Sequence, residues 1–133
     1  MKKSLFSMLL ILGLLAANPA AAEPLTEIVP QNKPPSIMER AFLRHLGSTI
    51  LDVMAAHGDN QLFTEERIEK IVRNREQDSY DVSLRAIGYE GALNPPYKLI
   101  KMTLRIPDQV AFKDYKVIAY KSRILKDERK YQK

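Results

Sequence analysis

Hydrophobic and polar positions change their period along this chain. From Ser36 to Asn60, Phe42, Leu46, Ile50, Val53 and Met54 recur at helical spacing and form one apolar stripe, with Arg40, Arg44 and Asp52 lying off it. Ser36 and Glu39 make an S-x-x-E capping box after two prolines, and Gly58 suits the position just past a helix C-terminus. These signals predict a helix from Ile37 to His57. Gly47 inside it costs about 1 kcal/mol relative to alanine, which close approach of a strand would explain.

From Ser79 onward the period is two. "SYDVSLRAIGY" sets Tyr80, Val82, Leu84 and Ala86 against Asp81, Ser83 and Arg85. "LIKMTLRI" sets Ile100, Met102, Leu104 and Ile106 against Lys101, Thr103 and Arg105, and Pro107 with Asp108 then turns the chain. "YKVIAYKSRI" is a further β run, with Ile118 and Tyr120 on one face and Val117 and Ala119 on the other. Between helix and strands, "QLFTEERIEKIVRNREQD" fits two elements. Ile68, Ile71 and Val72 suit a short helix starting at Thr64, Glu65 and Glu66, whereas Arg67 to Arg73 suits an edge strand blunted by charge.

Each strand has one apolar face, so the sheet is expected to be antiparallel and wetted on the other face. The predicted fold class is α+β: one long N-terminal helix packed on a three- to four-stranded antiparallel sheet.

The opening "MKKSLFSMLLILGLLAANPAAAEPL" changes the expected address. Lys2 and Lys3 precede an apolar run from Leu5 to Ala17, shorter than the roughly 20 residues of a spanning helix, and Ala20 and Ala22 offer a signal-peptidase site. The expected organisation is a signal peptide over residues 1–22, a Pro-rich linker over 23–35, one α+β domain over 36–125 and a charged tail over 126–133. Cleavage near Ala22 would send the protein out of the cytoplasm, as a secreted or cell-envelope protein; retention of the run would make it an anchor. The linker, "EPLTEIVPQNKPP", has four prolines in thirteen positions and little helix or sheet potential.

Composition narrows the chemistry. The 133 residues include no cysteine, which excludes a thiol nucleophile, thiolate metal ligands, disulfides and a lipoprotein anchor. Loss of Lys2 and Lys3 lowers the formal charge from +5 to +3, too mild and too mixed a balance to indicate nucleic acid. His45 and His57 are twelve apart, about 120° around a helix, and so are not a chelating pair. No G-x-S-x-G setting, phosphate-cradling glycine loop or paired acids occur. No metal, cofactor or specific small molecule is therefore expected.

One stretch stands out, "EGALNPPYKL". It reads as a link of about ten residues between strands, from Gly88 to Lys98, where usual hairpin loops have about two to five. Pro95 and Pro96 stiffen it, Asn94 is driven toward extended geometry by the proline after it, and Gly91 supplies positive φ where needed. Tyr89, Glu90, Asn94, Pro95, Pro96 and Tyr97 are the candidate binding residues, a rigid loop carrying aromatic and polar groups. The plainer reading is a stiff crossover with its tyrosines packed over the helix end.

Glu90, Gly91, Ala92, Asn94, Pro95, Pro96 and Tyr97, followed by a strand with Thr103 and Leu104 and by "YKVIAYKSR", also carry a resemblance. The block resembles an uncharacterised domain-of-unknown-function family of small exported proteins from spore-forming Gram-positive bacteria, whose members show an E-G-A-x-N-P-P-Y segment. The similarity runs from about Glu39 to Arg123 and is strongest over Tyr89 to Ile106. Lys98 stands where the family commonly has glycine, which puts a tight turn there in doubt. The resemblance implies an extracytoplasmic setting and the same small fold, favours a strand over Arg67 to Arg73, and implies no activity.

Three functions follow as expectations. The first is a non-enzymatic module that binds an extracytoplasmic protein or peptide through the 90–97 loop or a sheet edge. The second is a weak binder of anionic cell-wall polymer or membrane surface, through Lys98, Lys101, Arg105, Lys113, Lys116 and Lys121. The third is a small hydrolase with a site around Glu90, Asn94 and Tyr97, for which no base and nucleophile pair is visible.

Overall fold

The structure is a computed structural model that describes residues 25–126. The expected signal peptide (1–22) and all but the first residue of the expected tail lie outside the described residues. The elements run β1 (Thr26–Ile28), α1 (Ile37–His45), α2 (Gly47–Ala56), β2 (Leu62–Asn74), β3 (Ser79–Glu90), β4 (Asn94–Ile106) and β5 (Lys116–Ile124). The strands form one antiparallel sheet in the order β1-β2-β3-β4-β5, so each strand pairs with its neighbour in sequence.

This corrects the expected fold. Five strands and two short helices stand where one long helix on three or four strands was expected; the architecture remains a small α+β type dominated by its sheet. The predicted 37–57 helix is interrupted at Leu46, after which Gly47, Ser48 and Thr49, all poorer helix formers than alanine, open α2. Gly47 has no atom within 4 Å of where a Cβ would sit, so no strand approaches it closely. The break divides the apolar stripe between two parts of the sheet. Leu43 of α1 packs with Ile68 and Val82, while Ile50, Val53 and Met54 of α2 pack with Leu84, Ile100, Met102 and Leu104.

The ambiguous stretch is β2. It is an interior strand, flanked by β1 and β3, and its register shifts between Thr64 and Arg67 and again between Ile68 and Lys70. Two irregularities erase the period of two over this stretch, which is why a helical pattern fits it as well. The Pro-rich segment read as a linker also enters the sheet. Glu27 pairs with Ile71, Val29 N–H donates to Glu69 O at 3.0 Å, and the Gln31 amide donates to Ile68 O at 2.8 Å.

The capping box is half of what Glu39 does. Ser36 Oγ accepts from Glu39 N–H at 3.0 Å. The Glu39 carboxylate, buried, instead accepts from Arg67 Nε at 3.0 Å and from Ile68 N–H at 2.9 Å. Arg67 Nη1 and Nη2 donate to Lys33 O and Pro30 O at 2.9 and 3.0 Å, and Nη2 also reaches Glu39 Oε2 at 3.4 Å. One buried ion pair thus ties α1, β2 and the loop after β1.

Candidate functional site

The 90–97 segment is smaller than its sequence suggests. β3 extends to Glu90 and β4 begins at Asn94, and those two residues pair, leaving Gly91, Ala92 and Leu93 as the turn. Gly91 and Leu93 both have positive φ, 44° and 58°. The expected ten-residue stiff link is therefore a tight hairpin. Pro95 and Pro96 fall in the first residues of β4, beyond the Lys98–Ile124 pair that ends the ladder to β5, where a missing N–H breaks no sheet bond on that side.

The six candidate residues are not brought together. Glu90, Asn94 and Pro96 are exposed, Tyr89 and Pro95 are half-buried, and Tyr97 is only 2% exposed. The Tyr97 hydroxyl donates to Leu93 O at 2.5 Å, closing the turn from inside. Gln61, also buried, donates to Pro96 O at 2.9 Å and to Glu90 Oε1 at 3.2 Å. Gly88 makes room for it, since a Cβ there would lie 2.7 Å from Gln61 Oε1. Tyr97 is thus a packing residue of a tight turn rather than part of a stiff crossover.

A polar cluster that no spacing rule points to lies just past α2, one residue along β4 from Tyr97. Asp59 follows the C-terminus of α2, with its N–H bonded to Met54 O at 2.9 Å. Its buried carboxylate accepts from Lys98 Nζ of β4 at 2.6 Å, from the Tyr120 hydroxyl of β5, and from Ser122. Burial pushes the Asp59 pKa up, but the hydrogen bonds from Lys98, Tyr120 and Ser122, with the Lys98 charge, outweigh it and hold the carboxyl below its ordinary value. The Tyr120 phenol is driven well up, by burial first and then by its bond to Asp59 and the carboxylate charge. Exposed His57 stacks on Tyr120, and its Nδ1–H donates to Val53 O at 2.7 Å. The cluster joins three elements distant in sequence; the only local hint is a charged residue placed directly after the helix-ending Gly58.

Of the six expected polyanion contacts, three are engaged within the fold. Lys98 holds Asp59, Lys101 bonds Glu69 at 3.0 Å, and Arg105 grips Asp81 with two bonds at 2.8 and 2.9 Å. Lys113, Lys116 and Lys121 are exposed on and before β5. Among the described residues, no group of three or more His, Asp or Glu side chains is placed to hold a metal ion.

β5 is the last strand of the sheet, so its outer side carries no strand among the described residues. Its register against β4 shifts between Thr103 and Leu104: Ala119 pairs with Thr103 and Val117 with Leu104. Ile118 is the extra residue. The shift puts Val117 beside Tyr120 against the core and leaves Ile118 exposed, exchanging the expected faces of those two residues, while Ala119 and Tyr120 stay opposed as expected. Ile124 is likewise exposed at its end.

No family model matches the chain, and neither curated proteins nor solved structures give a match.

Proposed function

We propose that this protein is a non-enzymatic binding module that takes an extended peptide segment of an extracytoplasmic partner as an added strand along β5. The observation that carries the reading is the open outer side of a nine-residue margin strand. Unpaired backbone groups along such a margin accept another strand, and the side chains beside them set its preference. Lys116, Lys121 and Arg123 line this strand together with exposed Ile118 and Ile124. An extended segment that alternates apolar and acidic residues complements it. The apolar N-terminal run and the resemblance to small exported proteins support an extracytoplasmic setting, either secreted or at the envelope.

The 90–97 turn has less support as the contact, because Tyr97 is enclosed and the exposed part is short. Polyanion binding has less support too, because three of its six cations already hold carboxylates. A hydrolytic site at Glu90, Asn94 and Tyr97 lacks a converging pair, since the Tyr97 hydroxyl is spent on Leu93 O.

The test is photo-crosslinking in the producing cell, with a photoreactive residue at Ile118 in one variant and at Leu93 of the turn in another. Discrete peptide adducts are expected at Ile118 that persist when salt is raised, because strand addition is not screened as exposed ion pairs are. Adducts at Leu93 alone, or at neither position in correctly folded protein, would discard the β5 reading.

A further inference from the structure

The loop from Pro107 to Tyr115 ends in an arrangement that folding does not require. Val110 is 71% exposed and Phe112 is 92% exposed, among the most exposed large apolar side chains in the described residues. The loop is nevertheless built. Asp108 and Lys113 exchange two backbone hydrogen bonds of 2.9 and 3.1 Å, and the buried Asp108 carboxylate accepts from Ala111 N–H at 3.3 Å. Phe112 sits at φ 52°, a left-handed conformation that an aromatic residue adopts only under strain. The fold thus holds a phenyl ring in water, at an unfavourable backbone angle, with almost none of it packed. Single exposed apolar residues are common; here two of them share one hydrogen-bonded tip.

The position of the tip indicates what it meets. Arg73 N–H bonds Leu25 O, Arg73 pairs with Tyr80, and Tyr80 pairs with Ile106. Leu25, Arg73, Tyr80 and Ile106 therefore form one row across the end of the sheet from which the 107–115 loop projects. Leu25 and Tyr80 are exposed in that row. An apolar hollow of about 480 Å³ opens beside them, lined by Leu25, Phe42, Tyr80, Ile106 and Pro107 among others. The chain also enters here. Seven residues, 18–24, separate Leu25 from the apolar run Leu5–Ala17, and they span at most about 25 Å when extended. Charges around this end are mixed, Arg73, Arg75, Lys113 and Lys116 with Glu27, Glu76, Asp78 and Asp114, so attraction there is apolar rather than ionic.

We propose that this end of the sheet faces a lipid bilayer, with Val110 and Phe112 inserted into its interface. Aromatic and aliphatic side chains at a loop tip gain by leaving water, and neighbouring lysines keep their heads at the headgroup level. The proposal concerns a surface other than β5, and a peptide added at β5 would remain accessible.

The chain has no tryptophan, so a single introduced indole reports one place. Two full-length variants, Phe112→Trp and Leu93→Trp, are reconstituted in phosphatidylcholine vesicles whose lipids carry a nitroxide near the top of the acyl chain. Leu93 lies in the turn at the other end of β4, roughly 40 Å away along its 13 residues. The expected result is a blue shift and loss of emission for Phe112→Trp and neither for Leu93→Trp, with both variants showing the circular dichroism of the parent chain. Equal quenching at both positions, quenching at Leu93→Trp alone, or quenching at neither overturns the proposal.

Discussion

The ring of His57 lies on the ring of Tyr120, with centroids 4.1 Å apart and 15° between the planes. One residue ends α2 and the other belongs to the margin strand, so the stack closes the helix layer onto β5. Tyr120 also binds Asp59, which Lys98 holds from β4. Margin strands fray readily; this one is held at its middle by the cluster.

Asp59 makes stability depend on acid. Its folded pKa lies below its ordinary value near 3.8, so the stabilisation is present above the unfolded pKa and disappears as pH falls through the folded one. Melting temperatures of the parent and of Asp59→Asn should differ at neutral pH and converge below about pH 4. Tyr120 has the opposite sign: its raised pKa adds stability that is present below the unfolded phenol value, near 10.0, and is lost as pH rises past it. Curves that stay parallel from neutral pH to acid would show that Asp59 contributes nothing through its charge.

The Glu39–Arg67 pair should respond differently to one substitution than to two. Glu39→Ala leaves a largely buried guanidinium without its carboxylate and should cost about 3–5 kcal/mol by urea denaturation. Replacing both residues by leucine removes the charge problem and should recover most of that loss. A double variant as unstable as the single one would show that Arg67 acts mainly through Lys33 O and Pro30 O.

Two glycines should separate cleanly. In Gly88→Ala the new methyl meets Gln61 Oε1 at 2.7 Å and Ile100 Cδ1 at 3.0 Å, and Gln61 cannot swing away without losing its bond to Pro96 O. A loss of about 1–3 kcal/mol is expected from overpacking. Gly47→Ala meets nothing and opens a helix, so it should be neutral or stabilising by up to about 1 kcal/mol. Thermal denaturation of the pair decides it, and equal shifts would contradict the packing described around Gln61.

The parts of this fold that were legible in the sequence are those where a local period survives. β3 and the body of β4 alternate without a bulge from Tyr80 to Ala86 and from Ile100 to Ile106, and Val82, Leu84, Ala86, Ile100, Met102 and Leu104 face inward as expected, whereas Tyr80 at the start of β3 is exposed. Two bulges hid β2, one bulge exchanged the faces of Val117 and Ile118 in β5, and three paired residues among prolines hid β1. The helix stripe was visible, but its interruption was not, because Leu46 continues the stripe and its break is a matter of backbone bearing. At the candidate site, Pro95 and Pro96 read as loop although they stand in β4, which moved Tyr97 from an expected contact surface to the interior. The Asp59 cluster was invisible for another reason: Asp59, Lys98, Tyr120 and Ser122 are joined only by the tertiary fold.

The strand order also governs assembly in time. The pairs β2–β3, β3–β4 and β4–β5 join strands adjacent in sequence, so most of the sheet is made of contacts of low contact order, the kind that favours fast folding. β1 is the exception: Thr26 reaches Val72 only after the chain has closed a loop containing both helices. The closure entropy of that loop has to be met by three residue pairs and the Arg67 anchor. Without that closure the outer side of β2 would lie open although each hairpin from β2 to β5 could be complete.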